Sequence, residues 1–338
     1  MDQAAMAHEE TGSVIISRWF VDTRRMWPGA KIQNAAPQYL ALIPPVERKR
    51  ILDKYNVADA RMSLASALLK RVYIAKVTGL PLSEIKFSNR GDMYGKPIWA
   101  PPESSPDETW PYIDFNVSHQ AGLTTLVGIV VPNGISLSGG TERALVGCDI
   151  VAPRERLDAD LIGIEEFGFE EFISAWAEMF SPVEISDIIH HTPPSTFLSS
   201  FTNTTMEAKL RRFYTYFCVK EGYIKLVGEG LLAEWIKECE FRNLQVPKPC
   251  SGEERWGEKF TTSKTGVESE EGKSGNELEI WLHGKQIRNV KTELQAFEED
   301  FVITTMMSPS NLLGDEYEFP PWESIDLEKH VLTGRPPG

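Results

Sequence analysis

Three short stretches carry side chains that an ordinary core would not hold. In VGCDIV, Asp149 stands inside an apolar run that reads as a strand. A buried carboxylate there must be paired, hydrogen-bonded or metal-bound. In YFCVKEGYIK, Lys220, Glu221 and Lys225 fall in the C-terminal half of a long helix. Glu221 and Lys225 are four apart and share a face with Phe217 and Tyr214. That pair is either a plain surface ion pair or, because the aromatics mark a buried face, the lining of a cleft where a half-buried acid and base can do chemistry. In FNVSHQAG, Ser118 and His119 end a strand. A hydroxyl, an imidazole and free backbone N–H groups suit an anion, and equally an ST-turn with a surface histidine. Arg61 completes the set, a cation three residues before Leu64 on the apolar stripe of an early helix. Either its stem snorkels to water or something anionic meets it.

These residues need elements to position them. Residues 14–20 read as an opening strand, residues 28–45 as a Pro-containing loop, and residues 59–77 as a helix stopped by Gly79-Leu80-Pro81. Residues 88–97 are turn-rich and 101–111 form a Pro-rich loop. Residues 112–117, 123–131 and 144–151 then read as three strands of an antiparallel meander, with a glycine-bearing loop over 132–143. The second half starts over with a helix over 165–180 and a long helix from Thr204/Thr205 to Val227, closed by Gly228. Strands are expected at 279–282, 287–290 and 297–305. Residues 251–276 read as a mobile polar insertion and the last 25 or so as coil. The expected fold class is α+β, with an N-terminal unit over 1–150 and a C-terminal unit over 151–338. Each unit is an antiparallel sheet on a long helix, the two related by a pseudo-twofold with the site between them.

Composition excludes several classes. The 338 residues carry 35 Lys and Arg against 49 Asp and Glu, a sum of −14, which argues against nucleic acid as a partner. Four cysteines without CxxC pairs fit neither a disulfide framework nor a zinc site. There is no leader-like apolar segment and no run long enough for a membrane helix, so a cytoplasmic, monomeric protein without membrane attachment is expected. There is no P-loop, no nucleophile elbow and no complete dinucleotide fingerprint.

The ordered set ADARMSL, YGKP, FNVSH, VGCDIV and FCVKEGYIK resembles the Sfp-type 4'-phosphopantetheinyl transferases, over residues 59–225, with long loops similar to those of the larger filamentous-fungal members. The resemblance implies transfer of phosphopantetheine from coenzyme A to a serine of apo acyl- or peptidyl-carrier domains, releasing 3',5'-ADP. The carriers implied are those of polyketide, non-ribosomal peptide and fatty acid synthases and of the aminoadipate reductase of lysine biosynthesis. It implies Mg²⁺ on Asp149 and Glu221, with Glu221 and Lys225 catalytic. It implies CoA contacts from Arg61, Arg90, Lys96, Asn116, Ser118, His119, Lys220, Glu221 and Lys225. Two positions depart from the pattern: Phe217 replaces a tryptophan, and Val151 replaces a glutamate ligand, where a water is expected instead. A metal-dependent CoA pyrophosphate hydrolase and a non-catalytic CoA-binding protein are the alternatives.

Overall fold

The computed structural model describes residues 13–90, 95–102, 110–133, 135, 143–198, 204–229, 233–250, 254–262, 277–314 and 317–333. The elements begin with β1 (Ile15–Asp22), the short helices α1 (Ile32–Ala35), α2 (Pro37–Leu40) and α3 (Pro45–Leu52), and the long α4 (Val57–Thr78). They continue with β2 (Lys86–Asn89), β3 (Pro97–Ala100), β4 (Tyr112–Gln120), β5 (Leu123–Val131) and β6 (Leu145–Val151). Helices α5 (Leu157–Phe167), α6 (Phe169–Ser174), α7 (Pro182–His190), α8 (Ser195–Leu198) and the long α9 (Thr204–Val227) follow. The chain ends with β7 (Cys239–Arg242), β8 (Trp256–Thr261), β9 (Glu279–Leu282), β10 (Lys285–Ile287), β11 (Lys291–Phe297), β12 (Phe301–Ser308), β13 (Glu323–Ser324) and α10 (Leu327–Thr333).

Two four-stranded sheets dominate this mixed α/β structure, in the orders β13-β1-β5-β4 and β6-β12-β11-β8. Strand β5, in the middle of the first sheet, is buried at every position, which is why it reads as a largely apolar run. Along β1, Trp19 and Val21 face α4, whereas Ile16 and Phe20 face the second sheet. Along β12, Val302 and Met306 face α9, whereas Phe301, Ile303 and Met307 face the first sheet. The period-two alternation of strand side chains thus builds helix, sheet, sheet and helix layers around three apolar clusters. Between the sheets, the buried Arg18 on β1 pairs with the buried Glu293 on β11 at 2.5 Å.

Several expectations are corrected. Residues 145–151 are not the third strand of a meander, because β6 leaves the first sheet and pairs antiparallel with β12, with Asp149 opposite Thr304. The connection before it is too long to force a hairpin. The C-terminal residues are not surface coil: β13 pairs in parallel with β1, and Phe319, Trp322, Ile325 and Leu327 are buried. Within 251–276, residues 256–261 form β8 on the edge of the second sheet, while 251–253 and 263–276 lie outside the described residues, as do parts of the 88–97, 101–111 and 132–143 loops. The helix expected over 165–180 is broken by Gly168, whose φ of 90° only glycine adopts easily. The loop expected over 28–45 contains α1 and α2, and β2, β3 and β11 were not anticipated.

Candidate active site

The two sheets meet where the edges of β4 and β6 run side by side. They share no strand-to-strand ladder; side chains of β4 supply the partners instead. Asp114 Oδ2 accepts from the Val146 N–H at 2.9 Å and Asn116 Oδ1 from the Cys148 N–H at 3.2 Å. Ser118 Oγ donates to Asp149 Oδ1 at 2.7 Å. Residues i, i+2 and i+4 of a strand share a face, so Asp114, Asn116 and Ser118 form one polar row against β6. Every buried backbone donor needs an acceptor, and this row provides them.

Helix α9 crosses β6 unusually closely. A Cβ at Gly147 would lie 2.4 Å from the Gly222 carbonyl oxygen and 2.7 Å from the Leu226 nitrogen. A Cβ at Gly222 would lie 2.4 Å from Thr304 Cγ2. Two glycines therefore let the helix backbone settle onto the sheet, and this settling brings Glu221 and Lys225 to Asp149. Lys225 Nζ donates to Asp149 Oδ1 at 2.6 Å and to Ser118 Oγ at 2.9 Å. Burial works against the Lys225 charge, but the adjoining Asp149 carboxylate outweighs it and holds the ammonium above the ordinary lysine value.

Glu221 is in the opposite situation. Burial first, and then the Asp149 charge, push its carboxyl up to about 7, against a smaller opposing pull from Lys225. Its Oε1 is buried and has no hydrogen-bond partner. An orphaned carboxylate oxygen beside a second carboxylate is what a hard cation would satisfy. Among the described residues no group of three or more His, Cys, Asp or Glu side chains is gathered that could hold a metal ion. Val151, two positions beyond Asp149, is 2% exposed and packs among the apolar residues under α9. The missing glutamate is thus replaced by core packing. Phe217 forms a wall one turn from Glu221, edge-on to Trp176 at 5.6 Å.

The remaining sequence candidates separate. His119, exposed at the end of β4, is held below the ordinary histidine value by desolvation among crowded neighbours and then by the Lys225 and Lys54 cations. Arg61 donates from Nε to the Trp27 carbonyl at 3.2 Å and from Nη2 to the Gly29 carbonyl at 3.0 Å; the loop before α1 is the partner it meets in this structure. Arg90 and Lys96 gather at the other end of the polar row, on Asp114, at 3.0 and 2.6 Å. Lys96 is buried and also donates to the Val146 carbonyl at 2.5 Å, which leaves it inside the seam rather than facing a ligand. Asn116 is likewise occupied by β6. Lys220 is not brought to the site. It lies 1% exposed on another face of α9, paired with the buried Glu184 at 2.8 Å and donating to the Ile236 and Cys239 carbonyls. Adjacent helical residues diverge, so Lys220 and Glu221 cannot serve the same pocket. Asp114 and Glu184 are the residues that sequence reasoning missed. For Asp114 a signal existed, in the alternation of Asp114, Asn116 and Ser118 with the apolar Ile113, Phe115 and Val117.

Comparison with known proteins gives this arrangement its context. The family model described as 4'-phosphopantetheinyl transferase, N-terminal, matches residues 30–131. A 4'-phosphopantetheinyl transferase of Aureobasidium melanogenum is 38% identical, with the match covering 93% of this chain and 96% of that protein. The 4'-phosphopantetheinyl transferase 1 of Fusarium mangiferae is 30% identical over 97% of this chain and 98% of its own. The 4'-phosphopantetheinyl transferase NpgA of Emericella nidulans is 29% identical over 87% of this chain and 82% of its own. With its seam of Asp149, Glu221 and Lys225 and relatives that match it nearly end to end, the chain belongs to the 4'-phosphopantetheinyl transferase family.

Proposed function

We propose that Asp149, Glu221 and Lys225 carry the chemistry by which this enzyme moves 4'-phosphopantetheine from coenzyme A to a carrier-protein serine. The serine oxygen attacks the phosphorus bearing pantetheine. The bond from that phosphorus to the bridging oxygen breaks, and 3',5'-ADP leaves with the electron pair. Glu221 takes the serine proton, directly or through a water. Lys225, a fixed cation one turn away, offsets charge developing on the leaving phosphate. Asp149 orients Lys225 and Ser118 through its Oδ1. Asp149 and Glu221 would hold Mg²⁺, which when bound supplies neutralisation of the pyrophosphate charge. His119, Arg61 and Arg90 are the reading's CoA phosphate contacts. The orphaned, buried Glu221 Oε1 beside Asp149 is the observation that carries it.

Family membership favours transfer over the hydrolase and over a non-catalytic CoA-binding protein. We read the two helix-on-sheet halves as related by a pseudo-twofold; their layering around α4 and α9 supports this. The carriers proposed are acyl- and peptidyl-carrier domains of polyketide, non-ribosomal peptide and fatty acid synthases and of aminoadipate reductase. A monomer suits a chain that supplies both carboxylates itself, and free thiols at all four cysteines suit a cytoplasmic setting. The test is intact-mass measurement of an apo-carrier incubated with CoA and Mg²⁺. The carrier should gain phosphopantetheine with one 3',5'-ADP per transfer. Free phosphopantetheine released without carrier would identify the hydrolase, and CoA binding without turnover the binder.

A further inference from the structure

Asp114 is 1% exposed and accepts three hydrogen bonds, from Arg90 Nη2, Lys96 Nζ and the Val146 N–H. Its two cations differ. The Lys96 side chain is 2% exposed and lies sealed between Asp114 and the Val146 carbonyl. The Arg90 side chain is 21% exposed, and its Nε is buried without a hydrogen-bond partner. A Cβ at Gly228, one turn past Lys225, would sit 3.8 Å from Arg90 Nη1 and 3.4 Å from Lys96 Cβ. Arg90 therefore stands against the end of α9, on the same helix margin as Lys225, held on Asp114 through Nη2, with the Tyr112 phenol beside it and its Nε without a partner. Tyr112 borders the same node, its phenol pushed up to about 12 by burial first and then by the Asp114 charge. A planar guanidinium fixed on one edge by a carboxylate presents its other edge in a set direction, which a free arginine with four rotatable bonds does not.

We infer that Asp114 is a positioning residue that acts on coenzyme A through Arg90, aiming the guanidinium into the cleft while Lys96 neutralises the remaining carboxylate charge. The inference rests on the reading that Arg90 contacts a CoA phosphate. The two jobs of Asp114 are separable, because the buried charge balance involves Lys96 and the aiming involves Arg90.

The experiment compares wild type, D114N, D114N/K96M, R90A and the triple variant R90A/D114N/K96M, with CoA and a saturating apo-carrier. D114N leaves Lys96 buried without its counter-ion, so its Tm should fall. D114N/K96M removes that buried charge, so its Tm should recover. Its KM for CoA should stay raised by about tenfold or more, the size of one charge-assisted hydrogen bond, with kcat close to wild type. R90A should raise the KM similarly, and the triple variant should show no further loss. If D114N/K96M recovers both Tm and KM while R90A is impaired, Asp114 is structural only and the inference fails alone. Additive losses in the triple variant would assign the effect to Lys96 rather than to Arg90 and overturn it too. An unchanged KM in R90A would remove Arg90 from CoA binding, and the inference would fall with that reading.

Discussion

Glu221→Gln should separate chemistry from stability. The carboxyl ionises near 4.5 in an unfolded chain and near 7 in the fold, because burial first and then the Asp149 charge disfavour the anion. Between those pH values the native state binds the extra proton, so stability falls as pH rises through that window. The full penalty, reached above pH 7, is at most about 3 kcal/mol. Gln keeps the shape and never pays it. For 338 residues, an unfolding entropy of about 2.1 cal/mol/K per residue converts that into a Tm gain of about 4 °C. The metal-free variant should therefore melt about 4 °C above metal-free wild type at pH 8 and level with it at pH 4, while its transfer rate falls by at least ~10². Mg²⁺ should raise the wild-type Tm at pH 8 and leave the variant's unmoved. The assays are thermal melts with chelator and with Mg²⁺ across pH 4 to 8, together with carrier loading by intact mass. Equal melting at pH 8, or an offset that does not change with pH, would refute the account of Glu221. Near-normal loading by the variant would refute its role in the transfer.

Two further substitutions probe how the site is held. Gly147→Ala should cost about 1–3 kcal/mol of stability and more than tenfold in rate, because its Cβ meets the backbone of α9, which must lift from β6 and carry Glu221 and Lys225 with it; a folded variant of unchanged rate would show that close docking is unnecessary. Lys220→Met strands Glu184 in the core and should destabilise by about 3–5 kcal/mol, while the ratio of KM values for CoA and dephospho-CoA stays at the wild-type value; a changed ratio would return Lys220 to the ligand.

The candidate site residues stand out in the sequence because their oddity is local. Asp149 in an apolar strand and Glu221 with Lys225 beside aromatics are anomalies that a short window exposes. What they pair with was not legible. Lys220 sits next to Glu221 in sequence, yet the roughly 100° turn between neighbouring helical residues sends it to Glu184. Asp114 serves partners 24, 18 and 32 positions away, which no local pattern states. The two long helices and β5 follow from periodicity. By contrast, β11 was hidden because its inward Glu293 is paired with Arg18 of another sheet, and a buried ion pair reads as surface polarity until its partner is known. The prolines of the C-terminal segment signalled coil, although its apolar side chains, Phe319, Trp322, Ile325 and Leu327, carry it back across both sheets.

The site follows from an unfinished ladder. Two neighbouring strand edges ordinarily close by backbone pairing at about 4.8 Å, which leaves no space between them and no acceptor to spare. Here β4 meets β6 through side chains, so the strands stand apart and the spacers must be polar. Moving along the row from Asp114 through Asn116 to Ser118, the spacers shorten from carboxylate to hydroxyl. The last of them bonds a side chain, Asp149, instead of a backbone N–H. At that point the seam passes from joining backbone groups to joining the side chains of Ser118, Asp149 and Lys225. The glycine contact between Gly147 and Gly222 then sets a helix over the opening, with an acid and a base one turn apart. Shifting β4 by one residue would exchange its polar row for Ile113, Phe115 and Val117 and leave the Val146 and Cys148 N–H groups without acceptors. The register that satisfies the backbone is the same register that presents Ser118 to Asp149 and Lys225, so the demand for buried hydrogen bonds, rather than packing alone, fixes the geometry of the candidate site.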